Sequence, residues 1–409
     1  MSLTKDTVRG FSWMVGFRGV ARILTFLKTA ILARILLPDQ FGVYGIAVIS
    51  LAFLEIITET GVNVFLVQED QDVEEHLNTA WIVSVFRGAL IALLIFLTTP
   101  LIVNFFNSPA SGPLLYLISL VALIRGFINP ARVKFQKQLE FNKDFWFRSS
   151  IFLAETVTAV ILALITKSAA ALVVALIVSA VLEVVFSFTF IKPLPRIKFK
   201  LPQFKAIVSQ GKWLTLAGVF NYLASQGDDA VVAKLLNTTS LGFYQMAFKL
   251  ATLPVTEIGD VVGNVTFPVY VKIAGDRHRL KKAYLKTLAS VILLTVPLGF
   301  ILFSYPGEII TIAFGSNWLP AAPALKVLAL YGVVRAISGS GSALFLSLKK
   351  QKIVTVTTFV RLTALALFII PLTLKQGIVG AAQASLLSSL VAFPVVFFFV
   401  FRVLTHNPK

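Results

Sequence analysis

The sequence has no cysteine in 409 residues, which rules out a disulfide framework and a thiolate metal site. Its three histidines, His76, His278 and His406, are far apart and lie outside the apolar runs, so no zinc-ligand spacing exists. No G-x-x-x-x-G-K-[ST] loop occurs, so a P-loop nucleotide site is absent. Charge is sparse at 14%, against about a quarter in soluble domains. Acids are scarcer still: 19 Asp and Glu stand against 37 Lys and Arg, a formal net charge of +18. The N-terminal apolar run is broken by Arg18, Arg22 and Lys28 and lacks a small-residue cleavage site. It therefore reads as a retained helix, not a cleavable signal.

What fills the chain instead is apolar sequence: 57% of residues are hydrophobic and mean hydropathy is +0.86. This excess predicts apolar surface facing lipid, and about twelve runs reach the roughly 20 residues a membrane-spanning helix needs. Their expected limits are about 8–36, 40–67, 77–106, 112–137, 143–166 and 169–191, then 206–236, 241–271, 280–305, 319–348, 352–374 and 377–403. The runs are too long for barrel strands. The fold class expected is an all-α polytopic membrane protein without a sizeable soluble domain. Between the halves lies Lys192–Lys205, with three prolines and five basic residues. The domains expected are thus a bundle at 1–191, a cytoplasmic basic linker at 192–205 and a second bundle at 206–409.

Loop Lys and Arg set the orientation. They concentrate near Lys5 and Arg9, between helices 4 and 5, in the linker, after helix 8 (Lys272, Arg277, Arg279) and after helix 10 (Lys349, Lys350). Both termini and the linker are expected in the cytoplasm. The high net charge is therefore assigned to the membrane surface and not to nucleic acid.

The sequence also repeats. ARILLPDQFGVYGIA at 33–47 is echoed by AKLLNTTSLGFYQMA at 233–247, with Ala33/Ala233, Gly42/Gly242, Tyr44/Tyr244 and Ala47/Ala247 all 200 residues apart, as are Trp13 and Trp213. At an offset of 210, Pro113/Pro323, Leu120/Leu330 and Arg125/Arg335 coincide. Six helices per half is an even number, so the halves are expected as parallel repeats about a pseudo-two-fold axis along the membrane normal. Such repeats place a substrate site between the halves and move by rocking.

Charges at bilayer depth cost about 2.5–3.5 kcal/mol each and mark cavities or ion pairs. The cationic candidates are Arg18, Arg22, Arg87, Arg125, Arg335, Arg361 and Lys249; Arg18 and Arg22 share a helix face with Thr25 and Thr29. The acids at depth include Glu55, Glu59, Glu155, Glu183 and Asp260, and one helix carries Asn221, Ser225, Asp228 and Asp229. Two readings stand: pairs that lock helices together, as Arg22 with Glu55, or a cationic cavity. Arg suits the second, because its planar fork holds phosphate oxygens bidentately. Glu55, Glu59, Asp228, Asp229 and Asp260 are the candidates for charge partners or for coupling to H+ or Na+.

The opening K-x3-R-G-x2-W, the 33–47 stretch followed by ETGVNVFLVQ, the run DDAVVAKLLNTTSLGFYQMAFKLATLPVTEIGDVVGNVTFPVY and NWLPAAPALKVLAL together resemble the bacterial polysaccharide transporter, or oligosaccharide flippase, family. The resemblance covers essentially the whole chain. It implies a fold shared with multidrug and toxin extruders and lipid II flippases. It also implies transfer of an undecaprenyl-diphosphate-linked sugar chain across the inner membrane, without a cofactor and alongside polysaccharide assembly proteins. A positively charged cavity is implied too, a role that falls on Arg18, Arg22, Arg125 and Arg335. Three rival readings are a cation-coupled drug extruder of the same fold, a membrane glycosyltransferase or polymerase, and a purely structural membrane protein. The extruder calls for an acidic, aromatic cavity, and the enzyme for a catalytic cluster in a sizeable outer loop.

Overall fold

The computed structural model describes residues 24–68, 73–138 and 140–405. Among them every regular element is helical. In order these are α1 (24–35), α2 (Pro38–Ile57), α3 (Val62–Gln68), α4 (Val73–Phe106), α5 (Ser111–Gly126), a 3-10 turn (Pro130–Arg132), α6 (Val133–Lys137), α7 (Phe141–Thr166) and α8 (Ala170–Phe190). After these come α9 (Leu201–Leu235), α10 (Thr238–Lys272), α11 (Arg277–Ser304), α12 (Pro306–Phe314), a second 3-10 turn (Ser316–Ala321), α13 (Ala322–Ser347) and α14 (Gln351–Thr405).

Seven described stretches are long and apolar enough to cross a membrane: Pro38–Ile57, His76–Phe106, Asn142–Thr166, Ala170–Phe190, Arg277–Ser304, Ser316–Ser347 and Gln351–Thr405. α9 and α10, at 35 residues each, have the length, roughly 50 Å at 1.5 Å per residue. They fall outside that set because polar and charged residues interrupt them. Large apolar side chains such as Ile165, Leu293, Ile312 and Phe401 are exposed, as expected of a surface solvated by lipid tails.

Two compact units divide the chain between Tyr222 and Leu223, inside α9. In the first, α5 packs on α2, α4 and α8, and α7 packs on α8. Val43, Ala47, Ile91, Ile95, Leu115, Ile118, Val121 and Val173 form its core. α4 and α5 meet through glycine. A Cβ on Gly88 would come within 2.7 Å of the Ala122 carbonyl oxygen and 2.8 Å of Gly126 Cα, so only small residues permit this crossing. In the second unit α13 is central, packed on α10, α11 and α14, with Tyr270, Leu280, Tyr284, Leu344, Phe345, Val396 and Val400 in its core.

The structure corrects two expected helices. The run 40–67 divides into α2 and α3: Gly61 takes φ +70, and its N–H is held by the Glu59 carboxylate at 2.9 Å. The run 112–137 stops at Gly126, because Asn129 turns extended before Pro130, as residues preceding proline tend to do. Asn129 is fully buried. Its side-chain amide donates to the carbonyls of Ser187, Ile191 and Pro193 at 3.3, 3.3 and 3.1 Å, and its Oδ1 accepts from Ala131 N at 3.0 Å. One side chain thus ties the end of α5 to the end of α8 and the start of the basic stretch. That stretch is non-helical until α9 starts at Leu201. It is anchored to α4 by Arg196 N on Asn78 Oδ1 at 2.6 Å and Lys200 N on Thr79 Oγ1 at 3.2 Å.

The repeat is visible in the backbone. α2 starts at 38 and α10 at 238, each after a two-residue break. At an offset of 210, α7 (141–166) corresponds to the first limb of α14, residues 351–376. Lys167, which ends α7 at φ +47, corresponds to Gly377, which breaks α14 at φ +58 and ψ −136. The break makes α14 two helical limbs, the second matching α8.

Candidate functional site

In the second unit, helical periodicity brings three polar faces to one cavity of about 330 Å³. α13 contributes Gly332, Arg335, Ser338, Gly339 and Ser342; the first limb of α14 contributes Val354, Thr357, Thr358 and Arg361; the second limb contributes Ser389, Ala392 and Val396. Each set follows i, i+3, i+4 spacing, so each lies along one helix face. Thr252 of α10 completes the wall. Arg335 donates from Nη1 to the Tyr331 hydroxyl at 2.8 Å and sits 5.8 Å from that ring's centroid, a cation–π distance. Arg361 Nε and Ser389 Oγ are buried without a hydrogen-bond partner among the described residues. No acid occurs in the described lining.

The first unit has a larger cavity, about 560 Å³, in the corresponding place. Arg87 and Arg125 line it, with Arg132, Arg148, Glu55 and Glu183. Here the charges are paired. Arg87 meets Glu59 at 3.2 Å and also holds the Glu55 carbonyl; Arg125 lies 3.8 Å from Glu55; Arg132 pairs with Glu183; Arg148 pairs with Asp144 at 2.8 Å. Lys28 pairs with Glu155 nearby. The helix-locking reading therefore fits Arg87, and the partner of Glu55 among the described residues is Arg125.

The acids of α9 form a third cluster, within the second unit. Asp228 accepts from the Tyr244 hydroxyl at 2.6 Å and Ser385 Oγ at 3.3 Å, and Asp229 accepts from Gln245 Nε2 at 3.0 Å. Both are buried, 5% and 7% exposed. Tyr244 leads by ring contacts to Phe248 at 6.0 Å, and Phe248 to Tyr331 at 5.7 Å, so side chains run continuously from Asp228 to Arg335.

Of the residues singled out from the sequence, the structure brings Arg335 to Arg361 and Arg87 to Arg125, Glu55 and Glu59. Lys249 is half-buried on α10 and does not appear in the described lining of either cavity. Arg18 and Arg22 lie outside the described residues, as does the Asp260 side chain. Sequence reasoning passed over the hydroxyls of the second cavity. Their signal was present in Ser338-Gly-Ser-Gly-Ser342, a polar stretch one turn beyond Arg335 in an otherwise apolar helix.

The likeness to known proteins follows this architecture. The chain is 26% identical over 349 residues to the lipopolysaccharide biosynthesis protein WzxC of Escherichia coli, covering 85% of this chain and 71% of that one. It is 26% identical over 327 residues to the succinoglycan biosynthesis transport protein ExoT of Rhizobium meliloti, covering 80% and 66%. Among solved structures it superposes on the lipid II flippase MurJ in an inward closed conformation with a TM-score of 0.74 at 17% identity, covering 95% and 88%, a likeness of fold. Residues 31–323 match the family of polysaccharide biosynthesis proteins, and the chain, a helical membrane protein, belongs to that family.

Proposed function

We propose that this protein is a flippase that carries a lipid-linked oligosaccharide, on a polyprenyl diphosphate of the undecaprenyl type, from the cytoplasmic to the outer leaflet. It acts by alternating exposure of its binding site, in the bacterial inner membrane, with both termini in the cytoplasm. It performs no covalent chemistry and needs no cofactor. The observation that carries this reading is the placement of arginines in a cavity of each repeat, with Arg125 and Arg335 in equivalent positions. Half-buried guanidinium groups at membrane depth favour an anionic, phosphate-bearing cargo. Membership of the polysaccharide biosynthesis family supports a glycan on that cargo. The relative ExoT, described as a transport protein, and the flippase fold of MurJ support movement over catalysis.

The energetics are consistent with transport without ATP. An anion moving outward across an inside-negative membrane gains about 2.3 kcal/mol per charge per 100 mV. Coupling to H+ or Na+ is a second element of the proposal, supported by the adjacent buried carboxyls Asp228 and Asp229. Assembly proteins that supply and consume the glycan are its expected neighbours.

The deciding experiment reconstitutes the protein in vesicles with a diphosphate-linked oligosaccharide in one leaflet and follows its exposure to an impermeant lectin. Protein-dependent exposure is the expected result. Export of a cationic dye without any glycan movement would instead assign the extruder reading, and transfer of sugar to an acceptor would assign the enzyme.

A further inference from the structure

Between α8 and α9 the chain runs without helix through 191–200, and there its backbone is held while its side chains lie bare. The carbonyls of Ile191 and Pro193 accept from Asn129. Arg196 N donates to Asn78 Oδ1 and Lys200 N to Thr79 Oγ1. Lys198 N donates to the Arg196 carbonyl at 2.8 Å, a three-residue turn with Ile197 at its apex. Ile197 is 87% exposed, more than any other large apolar side chain among the described residues, and Leu194, Phe199 and Leu201 are exposed beside it. Ile197 belongs to no helix, so it is not part of the lipid-facing side of a span. From 196 to 201 the sequence RIKFKL alternates cation with apolar residue. Arg196 and Lys198 are exposed and make no ion pair among the described residues.

A groove of about 510 Å³ adjoins this stretch, within the first unit. Ile57 of α2, Ile82, Phe86 and Leu90 of α4, and Phe199 and Phe204 line it, the last two rings 5.7 Å apart. Arg87 lines it as well, but is committed to Glu59 at 3.2 Å. Phe199 therefore faces an apolar groove while Lys198, its neighbour in the chain, is exposed and charged.

We infer that 194–201 is a docking surface for one anionic phospholipid of the surrounding membrane. Arg196 and Lys198 hold its phosphate, and an acyl chain lies in the groove against Phe86, Leu90 and Phe199. Charge complementarity selects the head, because cations at a bilayer surface attract anionic lipids. The groove is large enough for a small apolar ligand and supplies the apolar wall that an acyl chain needs. Bare apolar side chains interleaved with cations are the pattern of a segment that lies in the membrane interface. The head contacts stand outside both arginine-lined cavities, and the occupant is a lipid of the membrane itself, whatever cargo the protein carries.

A chain without cysteine takes a single label cleanly. Leu194→Cys, carrying an environment-sensitive dye, is placed as the full chain in phosphatidylcholine nanodiscs. These are doped with nitroxide-bearing phosphatidylglycerol or nitroxide-bearing phosphatidylcholine over a series of equal mole fractions, and quenching of the dye is read. Phosphatidylglycerol should quench with the higher apparent affinity, by about 5-fold for each of the two bases. Arg196→Gln with Lys198→Gln should abolish that preference. Arg196→Lys with Lys198→Arg should keep it, which separates lost charge from lost folding. Phe199→Ser should weaken both lipids alike, by about 10-fold, and leave the preference unchanged. Leu293→Cys, at a 73% exposed position on α11, is the control and should show no preference. Equal preference at 194 and 293 would mean ordinary surrounding lipid and overturns the site. A preference that survives the glutamine pair overturns it too, by removing Arg196 and Lys198 from the head contact. No preference in the labelled chain without further substitution also overturns it, and would leave the acids Glu69, Asp70, Asp72, Glu74 and Glu75, which precede Asn78 in the sequence, to balance these bases.

Discussion

Arg125 and Arg361 show how much the company of a residue decides. Both are arginines in apolar helices, and their chemistry is the same. Arg125 has Glu55 at 3.8 Å, whereas Arg361 lines a cavity with no acid in its described lining; the Nε of each is buried without a hydrogen-bond partner among the described residues. The Lys28–Glu155 pair, with side chains 17% and 16% exposed, illustrates the locking role. Breaking a buried pair strands one charge, which costs about 3–5 kcal/mol, while replacing both partners with apolar residues is close to neutral. Glu155→Leu should therefore lower the thermal unfolding midpoint in detergent clearly more than the double variant Lys28→Met with Glu155→Leu. Equal losses would mean that the pair does not act as a unit. Asn129→Ala should be severe in the same assay. It leaves three carbonyls without their shared donor and one N–H without its acceptor, each such buried group costing about 1–3 kcal/mol. Neither partnership was legible in the sequence. It placed arginines and acids at bilayer depth, but which helix faces which is a property of packing, and Arg132 and Arg148, which were not among the candidates, prove to line a cavity.

At the level of helices, hydropathy located the long runs well because a lipid-facing surface needs about 20 apolar residues whatever the helix packs against. It missed the breaks inside two runs because a break costs no hydropathy. Gly61 and the Asn129-Pro130 step were the signals, each a short interruption between apolar runs. The turn at Gly377 was easier to see, since Lys375 and Gln376 interrupt the apolar sequence there. Glycine also sets how closely helices approach. Gly88→Val should separate α4 from α5, because even a Cβ at that position meets backbone at 2.7–2.8 Å; low yield and aggregation on size-exclusion chromatography are the expected readout. Gly380→Ala should be as damaging, since its Cβ would lie 1.9 Å from the Leu372 carbonyl oxygen. Gly112→Ala, whose Cβ would meet only Val103 Cγ2 at 3.5 Å, should behave as wild type. If all three fold equally well, the glycine contacts do not limit packing.

For the molecule as a whole, the duplication is legible in a handful of Gly, Tyr and Arg matches, and the backbone extends it to whole helices. What the duplication could not reveal is which arginines meet an acid, because that depends on the residues placed opposite. The consequence is measurable as charge moved per cargo. A diphosphate carrying roughly two negative charges should shift its leaflet distribution by about 4.6 kcal/mol per 100 mV, a little over three orders of magnitude. If a cation enters through Asp228 and Asp229 as the anion leaves, a third charge moves in the favoured direction and the slope rises to about 6.9 kcal/mol per 100 mV. If a proton leaves with the anion, the slope falls toward one charge. Lectin accessibility of the glycan at equilibrium, measured over a series of potassium-diffusion potentials, gives this slope directly. Asp228→Asn keeps the shape that Tyr244 and Ser385 contact but removes the carboxylate. It should bring a slope of three back to two, and leave a slope of two unchanged if the anion travels alone. A slope indifferent to potential in wild type would mean that the cargo crosses with its charge fully compensated, and would remove the membrane potential as the driving force.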